Sequence, residues 1–279
     1  MTESGGESGA LYVVSTPIGN LADMTLRGLE TLRTVAVVLA EDTRHSRKLL
    51  DHFEIATPLV AHHEHNEAKT TPGLVARMQR GESMAIITDA GTPLVSDPGA
   101  RLVAAAIAAG IRIVPIPGAS AVLAALVAAG LPADRFTFLG FLDRKGKDRD
   151  QSILAIRGLG HTAVIYESPN RLAATLAELR DGGLGARRAA IARELTKQFE
   201  EVRRGTVEEL ARYYADASAR GEIVIVIEGG EHEAPTEESL RERARALRAA
   251  GASARDVVSV LTGELGAPRN VAYRLAHEP

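Results

Sequence analysis

The stretch Met84–Gly99 limits most strongly what this chain can fold into. It opens with the apolar run Met84 to Ile87, of strand length, which reads as a buried strand. Thr88, Asp89, Ala90, Gly91, Thr92 and Pro93 follow, a loop without bulky side chains. Asp97 then predicts a helix cap, Pro98 its first position and Gly110 its close, with the apolar run Leu102 to Ala109 between them. Strand, small-residue loop and helix form the unit of an open α/β sheet, where ligands bind beyond the carboxyl ends of strands. Gly91 permits close backbone approach, while Asp89 and Thr92 offer hydrogen bonds. A tight βα turn with no ligand satisfies the same pattern, so spacing alone leaves both readings open.

The unit recurs along the chain. Leu11 to Ser15 reads as a strand running into Thr16–Asn20. Leu26, Leu29 and Leu32 share a helix face, and Val35 to Ala40 is the next strand, a βαβ opening that implies parallel pairing. Asp42 can cap the following helix, with Leu49 and Leu50 inward. Pro58 to Ala61 reads as a strand and Pro72 to Arg80 as a helix. Ile111 to Pro115 is a strand whose loop, with Gly118 and Ser120, opens an alanine-rich helix ending at Gly130.

The pattern changes there. Arg135 to Phe141 holds three of the chain's five Phe and reads as a strand. Asp143 to Asp150 is a mixed-charge segment, mobile by composition. Thr162 to Tyr166 is a strand ending in Glu167-Ser168-Pro169, and Ala189 to Ala192, Phe199 to Arg204 and Glu222 to Ile227 are further strands. Helices are expected over Val207 to Tyr214, Glu237 to Ala249, from Ser253, and over Val271 to His277. The division is therefore a disordered leader over 1–10, one α/β domain over 11–130, a second over 131–230 and a helical tail over 231–279.

Composition narrows function. The 279 residues carry a formal net charge of −3, so no strongly basic field draws the whole chain to nucleic acid, and any RNA site must be a local patch. With no cysteine, disulfides, thiolate zinc sites and a thiol nucleophile are excluded, which fits a cytosolic protein. No apolar run reaches the roughly 18 residues of a membrane span. Neither G-x-G-x-x-G after the first strand nor G-x-x-x-x-G-K-[ST] occurs, which argues against dinucleotide and P-loop sites. Small-residue loops at several strand ends favour a small-molecule pocket instead.

Two polar clusters stand out. Ala61-His-His-Glu-His-Asn-Glu67 matches no spaced metal motif such as H-E-x-x-H, and a polar, solvated loop at the mouth of the site is the favoured reading. Arg44, Arg47 and Lys48, with His45, form a compact basic group after a strand end. It suits phosphate contact or a solvated helix face equally well.

Leu11–Asn20, Ala40–Arg44, His63–Glu67, Thr88–Gly99, Tyr166–Pro169 and Arg193–Lys197, in this order, resemble the small-subunit ribosomal RNA methyltransferases of the tetrapyrrole methylase superfamily. The resemblance spans roughly residues 11 to 230 and, more weakly, the tail. It implies two α/β domains of the tetrapyrrole methylase type with S-adenosylmethionine in the cleft between them, a homodimer, and 2′-O-methylation of a cytidine in the decoding region of 16S rRNA. By position, Gly91, Thr92, Pro93 and Val95 resemble the family's cofactor loop, Ser120 and Ala121 a second wall, and Glu167, Ser168, Leu195 and Ile223 contacts from the other domain. Arg44, Arg47 and Lys48 are the candidate RNA contacts.

The chemistry so implied is in-line displacement, which asks for alignment and needs no metal. Glu167, Asp89 and Asp42 are candidates to take the ribose proton, Glu167 and Asp89 foremost. Rival functions are methylation of a tetrapyrrole, a non-enzymatic RNA-binding factor with the tail as its helical module, and a metal-dependent hydrolase built on His62, His63 and His65.

Overall fold

The computed structural model describes residues 8–217, 219–230, 237–263 and 265–278. Of the leader expected over 1–10, residues 1–7 lie outside the described ones. Gly9, by contrast, donates its N–H to the Met78 carbonyl at 2.8 Å, and Ala10 opens the first strand. The chain divides into one compact unit running to Gly229 and a second beginning at Gly230.

In the first unit, β1 (Ala10–Val14), β2 (Val37–Ala40), β3 (Leu59–Ala61), β4 (Met84–Ile87) and β5 (Arg112–Ile116) form a parallel sheet in the order β3-β2-β4-β1-β5. β2 and β4 are buried at every position, as continuous apolar runs in a sheet covered on both faces require. The connecting helices are α1 (Leu26–Thr34), α2 (Thr43–His52), α3 (Glu64–Gln79) and α4 (Ala100–Ala108). Two apolar clusters fill the layers, one around Leu32, Leu50 and Ile87 and one around Leu11, Met78 and Leu102. Leu26 is the exception to the expected α1 face. It is 86% exposed, and the helix turns Gly28, Thr31 and Leu32 inward instead.

The second sheet follows the order β6-β7-β10-β8-β9, built from β6 (Phe136–Phe141), β7 (Thr162–Glu167), β8 (Arg188–Arg193), β9 (Glu201–Thr206) and β10 (Ile223–Ile227). Only β6 and β7 pair in parallel; the remaining pairs are antiparallel. α6 (Lys147–Gly158), α7 (Leu172–Leu179) and α8 (Val207–Asp216) cover one face around Ile165, Ile191 and Ile225. α5 (Ala121–Ala129) follows β5 in sequence yet packs on the other face, Val122, Ala125 and Leu126 meeting Val164, Ala190 and Val224. Its small residues let helix and sheet approach closely. Ser120 caps its start through the Leu123 N–H, and Gly130, at φ 71°, ends it in the left-handed conformation.

Two segments differ from expectation. Asp143–Asp150 is not a mobile loop throughout: α6 begins at Lys147, and Arg149 within it is buried. The histidine-rich segment is not a solvated loop either. His63 precedes α3, Asn66 accepts the His63 N–H at 2.9 Å and donates to the Ala61 carbonyl at 3.0 Å. His62 is buried with Nδ1 3.0 Å from the Thr70 hydroxyl.

The second unit contains α9 (Glu237–Ala249), α10 (Ala254–Gly263) and α11 (Arg269–His277) around Leu240, Val257, Leu261 and Leu275. Glu237 pairs with Arg241 and Arg274, at 2.7 and 2.6 Å.

Candidate functional site

A cleft of about 460 Å³ opens between the two sheets. The parallel strands β1, β2 and β4 deliver Ile18, Glu41 and the Asp89–Asp97 loop to one wall from their carboxyl ends, and the start of α5 adds Ser120 and Ala121. The other wall comes from the ends of β6, β7 and β8 (Phe141, Tyr166 to Pro169, Leu195) and the start of β10 (Gly221 to Val224). β10 runs against β7 and β8, so its first residues meet their last ones at the same edge.

The loop after β4 is held in an uncommon shape. Gly91 has φ 86° and bridges Thr16 through two backbone hydrogen bonds, of 2.8 and 3.1 Å. A Cβ on Gly91 would stand 3.3 Å from Ile18 Cγ2, against the same wall. Leu94 and Ser96 sit at φ 73° and 67° without being glycines, a conformation that persists only where surroundings impose it. Thr92 donates to the Ala119 carbonyl and meets the Ser15 hydroxyl, both at 3.2 Å. Asp97 does not cap α4; the chain reaches that helix through Gly99 at φ 115°. Glu67, from the histidine-rich segment, accepts the Gly99 N–H at 3.3 Å and pairs with Arg101 at 3.5 Å, so that segment steadies the loop.

Carboxylates gather on the first wall. Burial, then the charges of Asp97 and Asp89, push the Glu41 carboxyl above its ordinary value, with His63 opposing. Burial does the same to Asp97, helped by Asp89 and opposed by the Thr88 side chain. Tyr166 is also raised, by burial and then by Asp97 and Glu222. Asp89 Oδ1 is buried without a hydrogen-bond partner. A set of acceptors of this kind fits a ligand that brings positive charge and hydrogen-bond donors.

Glu167 has a different setting. Its side chain is 0% exposed and accepts from the Ser168 N–H at 2.8 Å and the Thr175 hydroxyl at 2.5 Å, with Arg171 Nε at 3.3 Å. Thr175 in turn accepts from Arg149 at 2.8 Å, and Arg149 pairs with Glu178 and donates to the Asp143 carbonyl. Arg171 donates to the Leu142 and Asp143 carbonyls at 2.8 and 3.1 Å. This buried network ties the lip of the cleft after β6 to β7 and α7.

Gly91, Thr92, Val95, Ser120, Ala121, Ser168, Leu195 and Ile223 line the cleft together with Asp89 and Glu167; Pro93 is buried behind it. Asp42 caps α2 through the Arg44 and His45 N–H groups, which lower its pKa, and lies outside the cleft lining. Lys48 lines an adjoining depression of about 470 Å³ that shares Ile18, Asp89, Ala90 and Glu222 with the cleft. Arg44 and Arg47 point to solvent, the Arg44 side chain 94% exposed. Lys197 lines that depression too and reaches Glu194 at 2.9 Å and Glu222 at 3.3 Å. Among the described residues no three His, Asp or Glu side chains converge as a metal site, His62, His63 and His65 included. Glu41, Asp97 and Tyr166 stand inside the motifs Ala40–Arg44, Thr88–Gly99 and Tyr166–Pro169, yet sequence reasoning does not mark them as site residues, and Phe141 lies outside every such motif.

The model for tetrapyrrole (corrin/porphyrin) methylases matches residues 10–211. Ribosomal RNA small subunit methyltransferase I of Pseudomonas aeruginosa is 48% identical over 274 residues, covering 97% of this chain and 92% of that protein. The protein of that name from Synechocystis is 44% identical over 273 residues, 97% of this chain and 98% of its own. Among solved structures, diphthine synthase superposes with TM-score 0.63 at 16% identity, over 79% of this chain and 90% of that one. Uroporphyrin-III C-methyltransferase of Thermus thermophilus, complexed with S-adenosylhomocysteine, superposes with TM-score 0.54 at 18% identity, over 79% and 97%.

Proposed function

The chain belongs to the tetrapyrrole methylase family and, within it, to the ribosomal RNA small subunit methyltransferase I family, and on that premise we propose that it methylates the 2′-oxygen of one cytidine ribose in the decoding region of 16S rRNA. The observation that carries this reading is the cleft itself: a cavity of about 460 Å³ with a left-handed glycine at its wall and an unpartnered buried carboxylate oxygen. S-adenosylmethionine, a cation at sulfur with an ammonium group, fits those acceptors and supplies an electrophilic methyl group.

The chain's residues bind, orient and exclude water. Gly91, Thr92 and Val95, with Ser120 and Ala121, form one side of the cofactor site, and Ser168, Leu195 and Ile223 the opposite side. Pro93 acts from behind by fixing the loop. Alignment of a ribose oxygen with the methyl group can lower the barrier by roughly 7–11 kcal/mol. We assign the proton to Asp89, a carboxylate residue that lines both the cleft and the depression beside it. Glu167 acts as a positioning residue, since its enclosed carboxylate already holds Ser168, Thr175 and Arg171.

Lys48 meets a backbone phosphate at the adjoining depression, with Arg44 and Arg47 extending the basic edge outward. We read the chain as a homodimer. Leu123 and Val127, one helical turn apart on α5, are 53% and 79% exposed and provide an apolar face for a second copy. No described helix is long and apolar enough to cross a membrane, and we read the protein as one that works on ribosomal RNA in the cytoplasm.

The test offers the purified protein labelled S-adenosylmethionine with small ribosomal subunits, naked 16S rRNA or a tetrapyrrole. Label in the RNA is the expected result. Label only in the tetrapyrrole would overturn the reading, and absence of cofactor affinity by calorimetry would leave a plain RNA binder.

A further inference from the structure

Phe141 is a large aromatic side chain at the lip of the cleft with 57% of its surface exposed. Its position is built rather than incidental. Phe138 pairs with Val164, so a regular ladder would set Gly140 opposite Tyr166; the register slips and Phe141 takes that place. The extra residue is accommodated at Gly140, whose φ of 65° suits a bulge, and where a Cβ would stand 3.3 Å from the Ser96 hydroxyl. The bulge returns Phe141 to the face that carries Phe138. Both rings pack on Tyr166, with centroids 5.4 and 4.8 Å away. Without the slip the ring would point to the opposite side of the sheet, away from the cleft.

The ring also borders a second cavity, an open basin of about 860 Å³ that shares Phe141 and Ser168 with the cleft. Arg144, Arg149 and Arg171 line this basin. Arg149 and Arg171 are fixed by the buried network around Glu167 and Glu178, whereas Arg144 is exposed and makes no ion pair among the described residues. A half-free aromatic face next to guanidinium groups is the arrangement that recognises an unstacked nucleotide, base on ring and phosphate on arginine.

We infer that Phe141 is the platform on which the target base stacks after leaving its own stack, with the adjoining phosphate seated at Arg144. This rests on the RNA-methylating reading above and assigns that substrate a place in it. The acceptor ribose oxygen must meet the methyl donor inside a cleft walled on both sides, and a nucleotide swung out of its stack brings its ribose there. Phe141, where cleft and basin meet, is placed to hold the base of such a nucleotide.

The experiment compares Phe141→Ala, Phe141→Leu and Phe141→Trp in methyl transfer to small ribosomal subunits, with S-adenosylmethionine affinity measured in parallel by calorimetry. Alanine and leucine should each lower kcat/KM for RNA by roughly 10- to 100-fold, the size of a lost base–aromatic stack, while tryptophan keeps it. Cofactor affinity should stay unchanged in all three. Arg144→Ala should flatten the salt dependence of RNA binding by about 0.7 in slope, as for one phosphate contact to single-stranded RNA. Leucine as active as phenylalanine would overturn the inference, since bulk alone would then suffice. Loss of cofactor affinity in Phe141→Ala would also overturn it, by giving the ring to the methyl donor. Wild-type protein that leaves RNA unmethylated would remove the functional reading and this inference together, whereas active wild type with an indifferent leucine variant removes the inference alone.

Discussion

Replacing Gly91 tests whether the loop after β4 is a ligand wall or only a turn. At φ 86°, an L-residue is strained by about 1–2 kcal/mol before any contact is counted. A β-carbon meets Ile18 Cγ2 at 3.3 Å, which a small shift of that side chain relieves, so Gly91→Ala should keep the loop in place. Valine adds branches toward Ile18 and the Ala119 carbonyl, and overpacking of this kind costs roughly 1–3 kcal/mol more. The loop has a way out. It is pinned to Thr16 by two backbone hydrogen bonds, of 2.8 and 3.1 Å. Their loss costs about 0.5–1.5 kcal/mol each, less than the summed strain and crowding, so the pin gives way first. Gly91→Val should thus lose about 1–3 kcal/mol in urea unfolding and also lose S-adenosylmethionine binding, because the wall has moved. Gly91→Ala should lose about 1–2 kcal/mol and retain measurable affinity. Calorimetry beside urea titration reads both. A folded valine variant with undiminished cofactor affinity would refute the reasoning and leave the loop a turn.

Further outcomes follow from other parts of the site. Lys48→Ala combined with Arg44→Ala should weaken RNA binding but not cofactor binding, flattening the salt slope by about 0.7 to 0.9 per phosphate contact; equal slopes would place both on a solvated face. Cofactor affinity should be full above the raised pKa values of Glu41 and Asp97 and fall as pH drops through them, since protons compete with a cationic ligand. The free protein runs the other way: a carboxyl whose folded pKa is raised contributes most below its unfolded value and loses that contribution as pH rises through the folded one. Asp97→Asn should therefore raise the melting temperature of the free protein at neutral pH and weaken cofactor binding, and an unchanged pH profile would remove Asp97 from the site. Thr175→Val leaves Glu167 and Arg149 each short of a buried partner and should cost about 1–3 kcal/mol in urea unfolding, with no change there if the network is dispensable.

Much of the parallel half was legible because its strands are short continuous apolar runs that end in Gly, Pro and small polar residues, as at Met84–Ile87 and Leu11–Val14. Capping was legible where the cap is local, as at Asp42 and Ser120. It failed at Asp97 because left-handed Leu94, Ser96 and Gly99 redirect the chain, and no rule reads such turns from non-glycine residues. Arg149 looked mobile because its neighbours are charged, yet its partners Thr175 and Glu178 lie more than a strand away in sequence. The same holds for His62, whose burial is decided by its place after β3 and by Thr70 across the first turns of α3. Strand direction in the second sheet is not written in apolar runs such as Ile223–Ile227, which suit parallel and antiparallel neighbours alike. The place of α5 was equally hidden, because alanine-rich helices offer no preference between the sheet before them and the one after.

The most direct test of the central claim is the position and atom of the methyl group. Small ribosomal subunits lacking the modification are incubated with the protein and S-adenosylmethionine, and the rRNA is then mapped by alkaline cleavage and by mass spectrometry of its nucleosides. A 2′-O-methyl group removes the nucleophile that alkaline cleavage needs, so one cytidine linkage in the decoding region should become resistant, with the added mass on ribose. Methyl on a base, or label found only in a tetrapyrrole, would contradict it.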